Sequence, residues 1–216
     1  MLEALIGTLL GFLSGMRHAL EPDHIAAVST VLAEQRTARS SVLYASLWGT
    51  GHALMLILVG GSLYALRHQM PERIADLFEV AVAAMLIFLG VRALLSARSR
   101  VGKSELTHTH GPLDRPHSHS SSVRPLGIGL VHGLAGSGAL TALVVSKSMS
   151  LSGGLGFMVV YGIGAALGMV ALAGVLGLPL SRLARDARWE KGLLAASGTL
   201  ALVIGVVWGL RSLHLV

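Results

Sequence analysis

Six long apolar stretches decide what this chain can fold into. They run at about residues 2–32, 41–66, 74–96, 125–147, 153–180 and 192–212, each long enough to supply the ~20 residues that carry a helix across ~30 Å of hydrocarbon. Hydrocarbon offers a backbone N–H or C=O no partner, so a crossing segment must close its hydrogen bonds within itself. The expected fold is therefore all-α, a polytopic membrane protein of six transmembrane helices. Composition agrees: 53% of residues are hydrophobic, 13% are charged, and mean hydropathy is +0.69, a balance foreign to water-soluble domains. The bilayer is the expected surrounding, and the net charge of +6 needs no nucleic-acid partner to explain it.

The start Met1-Leu2-Glu3 lacks the basic flank of a signal peptide, so the first stretch is expected to remain as the first span. Charge in the connections then sets orientation, because Lys and Arg accumulate on the cytoplasmic side. With the N-terminus outside, the inner connections hold Arg36, Arg39, Arg98, Arg100, Lys103, Arg115, Arg124, Arg182, Arg185, Arg188 and Lys191. The outer side holds only Arg67, Arg73, Lys147 and Arg211. A count of 11 against 4 predicts a multi-pass protein of a bacterial-type inner (plasma) membrane with both termini outside. Homo-oligomerisation stays open.

The chain also repeats itself at an offset of about 114 residues. Gly15-Met16-Arg17-His18-Ala19-Leu20 matches Gly129-Leu130-Val131-His132-Gly133-Leu134, each followed by a helix breaker, Pro22 or Gly136. Trp48-Gly49-Thr50-Gly51 matches Tyr161-Gly162-Ile163-Gly164, and Leu89-Gly90-Val91 matches Ile204-Gly205-Val206. Three spans per repeat is an odd number, so the second copy must run in the opposite sense. The expectation is two inverted three-helix repeats, residues 1–97 and 124–216, an architecture that often places a substrate site where broken helices meet at mid-membrane. Between them, residues 98–123 are polar, basic and rich in Ser and His, the pattern of a flexible cytoplasmic loop. Its His108, His110, His117 and His119 are candidates for transient capture of a divalent ion, with a solvated loop of incidental histidines as the alternative.

Ionisable side chains are costly at membrane depth, and here they gather in one place. Arg17-His18-Ala19-Leu20-Glu21-Pro22-Asp23-His24 puts two imidazoles, two carboxylates, an arginine and a proline within eight residues. On an unbroken helix His18 and His24 would lie ~120° apart, too far round to grip one ion. Pro22 cannot donate to the carbonyl four residues back, so a kink there is expected to bring His18, Asp23 and His24 together, with freed carbonyls lining a polar cavity. Glu21 and Arg17 are also spaced to pair with each other at i, i+4. His52 sits in an otherwise apolar span, as does His132, the repeat partner of His18. Glu21, His132, Ser137 and Thr141 are candidate path-lining residues, while Glu79 and Arg92 read as structural or interfacial. With no cysteine in the chain, imidazole and carboxylate are the strong ligands left, a set that suits nickel, cobalt, copper or zinc better than magnesium or calcium.

These residues resemble a known family. His18-x4-Asp23-His24 is similar to the signature of the nickel/cobalt transporter (NiCoT, or NicO) superfamily. The Gly51-His52 run resembles its second histidine motif, and His132-Gly133-Leu134-Ala135-Gly136-Ser137 resembles the fourth-span motif of the short, urease-associated UreH-like branch. The resemblance implies permeation of nickel or cobalt, with His18, Asp23, His24 and His52 as metal-recognising residues. The further acidic motifs of the longer, eight-span members are absent. No phosphate-binding loop and no His-Glu-x-x-His helix occurs, so an enzyme is not expected, and no cofactor beyond the transported ion. Uptake is the expected direction, with efflux and a nickel-binding accessory role beside an enzyme such as urease as alternatives.

Overall fold

The computed structural model describes residues 2–33, 35, 37–99, 123–146, 150–183 and 186–213. The candidate capture residues His108, His110, His117 and His119 lie outside them. Among the described residues the regular elements are all helical: α1 (Leu2–His18), α2 (Pro22–Leu32), α3 (Ala38–Ala65), α4 (Glu72–Ser99), α5 (Val123–Ser146), α6 (Leu151–Leu183) and α7 (Ala187–Ser212). Helices α3 to α7 are each long and apolar enough to cross a membrane. The first expected span is instead divided into α1, 17 residues, and α2, 11 residues, each shorter than a full crossing.

Local chemistry accounts for the ends. Thr37 accepts the Ser40 N–H at 3.1 Å to cap α3, and Asp186 accepts the Arg188 N–H at 2.8 Å to cap α7, each satisfying a donor that has no partner inside the helix. Helix α3 passes through a π-turn at Leu56–Gly60 and ends with Arg67 in the left-handed region, φ 52°. There the His68 N–H reaches the Leu63 carbonyl and the Arg67 N–H that of Tyr64, a Schellman turn. The turn sends the chain back over α5, where Met70 packs on Gly138.

In the bundle α4 packs along α7, α3 along α5, and α1 along α6, with α3 and α6 meeting at the centre; α2 lies against α7. Backbones approach closely where residues are small, as lipid-embedded helices require: a methyl group at Gly15 would strike the Tyr161 carbonyl, and one at Gly129 that of Trp48. The surface is apolar, and a polar cluster lies inside an otherwise apolar interior. Leu9, Leu13, Leu43, Leu58, Phe88, Leu95, Leu167, Val175 and Val203 are exposed, whereas His18, Asp23, His24, His52, His132 and Thr141 are buried. Lipid solvates the leucines well, so the buried polar groups need polar partners inside the protein.

Candidate metal centre

The site begins at the break between α1 and α2. Helix α1 ends at His18, and Glu21, extended at φ −66° and ψ 149°, caps a second helix whose first residue is Pro22. Proline's missing N–H costs nothing at that position, so the chain is broken before Pro22 rather than kinked through it. The carbonyls of Arg17 and His18 accept from Leu20 and Glu21 at 2.9 and 3.0 Å. These two carbonyls are therefore engaged in the turn. Glu21 does not pair with Arg17; its Oε1 lies 2.9 Å from His18 Nδ1.

The break turns His18 and His24 toward each other, ring centroids 4.6 Å apart. Helix α3 brings His52, whose Nε2 is 3.1 Å from His18 Nε2. Helix α5 brings His132, whose ring lies 4.1 Å from that of His24. Asp23 joins the two halves of the chain: Oδ1 is 3.0 Å from His24 Nδ1, and Oδ2 is 2.7 Å from His132 Nε2. Two overlapping ligand groups result, His18 with His24 and His52, and Asp23 with His24 and His132, each with its ligand atoms within 4.8 Å of one another. Ser137 and Thr141 are buried nearby, but their hydroxyls donate to the carbonyls of Leu134 and Ser137 within α5, and Thr141 also to that of Gly60.

The hydrogen bonds orient the imidazoles. An N–H donated by His24 Nδ1 to Asp23 leaves the lone pair on Nε2, and one donated by His132 Nε2 leaves it on Nδ1. Both of those nitrogens are buried without a hydrogen-bond partner among the described residues, as are His52 Nδ1 and Trp48 Nε1. Each unpaired buried polar atom carries a desolvation cost. The two facing Nε2 atoms of His18 and His52 likewise need a proton or a cation between them. Four imidazoles and one carboxylate, with unclaimed nitrogen lone pairs, make a donor set suited to a borderline divalent cation.

A cavity of about 240 Å³ adjoins the cluster, lined by His18, Asp23, His24 and His132 together with Glu21, Glu79, Leu143 and Trp208. Leu143 is near the end of α5, Glu79 near the start of α4 and Trp208 near the end of α7, so this part of the lining lies toward the 66–71 connection. Trp48, stacked on His24 with ring centroids 6.0 Å apart, and Tyr161, whose ring is 5.6 Å from His18, adjoin the site without being among the candidate residues expected from the sequence. Their alignment with each other in the internal repeat was the available signal. Glu79, expected to be structural or interfacial, lines the cavity and accepts a hydrogen bond from Ser212 of α7.

The urease accessory protein UreH of Bacillus sp. (strain TB-90) is 30% identical to this chain over 207 residues, 91% of this chain and 87% of that protein. The chain belongs to the short UreH-like branch of the nickel/cobalt transporter superfamily. A second relative of this UreH-like chain, from Methanocaldococcus jannaschii and named as a candidate nickel/cobalt efflux system, is 26% identical over 180 residues, 80% of the chain and 77% of that protein. Neither relative is named as an enzyme. No protein-family profile and no solved structure matches the UreH-like chain.

Proposed function

We propose that this chain carries nickel or cobalt ions across a bacterial-type inner membrane, binding the dehydrated cation among His18, Asp23, His24, His52 and His132. The observation that carries the reading is the convergence of four buried imidazoles from four helices, two of them bonded to one buried carboxylate, with ring nitrogens left unpartnered. A group so costly in lipid is retained where it serves a substrate path. The relatives' names, one a nickel/cobalt efflux system and one a urease accessory protein, agree with the metal.

Two inverted three-helix repeats, 1–97 and 124–216, form the machinery. Contacts related by the repeat are reciprocal. Gly15 meets Tyr161 as Gly129 meets Trp48; Gly51 meets Leu126 as Gly164 meets Phe12; Gly90 meets Gly198 and Leu202 as Gly205 meets Ala83 and Ile87. The two ends of the path differ. One face has the cavity, while at the other α2 is packed on α7, with Thr30 Oγ1 donating to the Ser197 carbonyl at 3.1 Å and Ala26, Ala93 and Leu194 fully buried. An arrangement open at one end, sealed at the other and internally symmetric suits alternating access.

With both termini outside, the cavity faces outward and the ion moves inward. A potential of 100 mV favours that movement by ~4.6 kcal/mol for a divalent cation. Outward movement is the second reading, favoured by the name of the archaeal relative. Purified protein in sealed vesicles with an imposed potential separates the readings. Accumulation of nickel driven by an inside-negative potential supports uptake; accumulation only against an imposed proton gradient supports export. Stoichiometric binding with no accumulation overturns transport in favour of a nickel-holding accessory protein.

A further inference from the structure

Glu79 stands apart from the histidine cluster but shares its cavity. It lies about 10 Å along α4 from the helix start, at 1.5 Å per residue. Its Oε2 accepts a 2.9 Å hydrogen bond from Ser212 Oγ at the end of α7. Among the described residues that neutral hydroxyl is its hydrogen-bond partner, and no arginine or lysine pairs with it. Glu21, its side chain half exposed and held by His18 Nδ1, is a second carboxylate on the cavity wall. The same cavity is lined by Asp23, His24 and His132, the last two with buried ring nitrogens left unpartnered.

The two zones differ in chemistry. A carboxylate holds a strongly hydrated divalent cation by charge, with its water shell largely in place; imidazole nitrogen replaces that water and discriminates among metals. Fixed negative charge in a low-dielectric cleft raises the local cation concentration, by ~10- to 1,000-fold in known cases of steering.

We propose that Glu79 is the recruiting residue of the path, receiving the hydrated divalent cation at the cavity mouth with Glu21 and passing it to the histidines. The proposal rests on the transport reading above and adds a station to it. Glu79 then governs the concentration at which transport half-saturates, whereas the histidines govern the maximal rate. Ser212 is its positioning residue.

The absence of native cysteine makes the test clean. Glu79→Cys, reconstituted in vesicles, is assayed for nickel flux after reaction with methanethiosulfonates carrying negative, neutral or positive groups. Glu79→Gln, which keeps the shape, is expected to raise the half-saturating concentration about tenfold while the maximal rate stays within about twofold. A free thiol can itself ligate nickel, so Glu79→Cys is compared only after reaction: the anionic reagent restores the wild-type value, the neutral one matches Glu79→Gln, and the cationic one raises half-saturation further. Half-saturation that ignores Glu79→Gln, or that is the same after all three reagents, overturns the proposal. Should the wild-type protein bind nickel but not move it, the transport reading fails separately. Equilibrium nickel binding then serves as the readout, and an affinity independent of charge at position 79 overturns the role of Glu79.

Discussion

Asp23 and His132, 109 positions apart in the chain, are joined by a 2.7 Å hydrogen bond between buried side chains. The same carboxylate holds His24 on its other oxygen. One residue on the broken helix thus sets the orientation of two imidazoles that belong to different halves of the protein.

Replacing that carboxylate tests the geometry. Asp23→Asn keeps the volume but puts an amide donor against one of two imidazole N–H groups, so one ring must turn or change tautomer. Loss of such an orienting partner typically costs 10- to 100-fold in metal affinity, and a loss of about that size in nickel affinity is expected by titration calorimetry. The variant should elute as the wild type does. Unchanged affinity would exclude Asp23 from the site.

His132 should matter as much as His24, whereas Ser137 and Thr141 should not. His132→Ala removes a potential ligand and a partner of Asp23, and nickel flux in vesicles should fall by about 10-fold or more. Ser137→Ala and Thr141→Val remove hydroxyls bonded to carbonyls of α5 and α3, and flux should stay within about threefold, as the cost is mainly a hydrogen bond of ~1 kcal/mol.

Two glycines on α5, two positions apart, should respond oppositely. A Cβ at Gly127 has open space, while one at Gly129 runs into the Trp48 carbonyl and comes within 2.9 Å of the His52 backbone nitrogen. Gly127→Ala should leave thermal stability in detergent unchanged or slightly higher. Gly129→Ala should separate α5 from α3 and lower the melting temperature by several degrees, since overpacking costs about 1–3 kcal/mol. Equal effects would contradict this helix contact.

Orientation can be read with single cysteines at the two ends of α3. A membrane-impermeant maleimide should label His68→Cys in intact cells but Arg39→Cys only after permeabilisation. The reverse pattern would turn the cavity toward the cytoplasm and favour export.

The sequence by itself determined that the chain is helical and membrane-embedded, because apolar runs of this length leave the backbone no other way to satisfy its hydrogen bonds. It also determined where ionisable groups gather, since their cost in lipid makes His18, Asp23 and His24 conspicuous without any structure. Tertiary structure alone decided which groups meet. Periodicity describes one helix at a time, and Asp23 reaches His132, or Glu79 the cavity shared with Glu21, only through the packing of helices distant in sequence. The break before Pro22 was decided in the same way. A proline allows either a kink or a new helix start, and the extended Glu21 with two short-range hydrogen bonds selects the second, turning His18 and His24 toward each other.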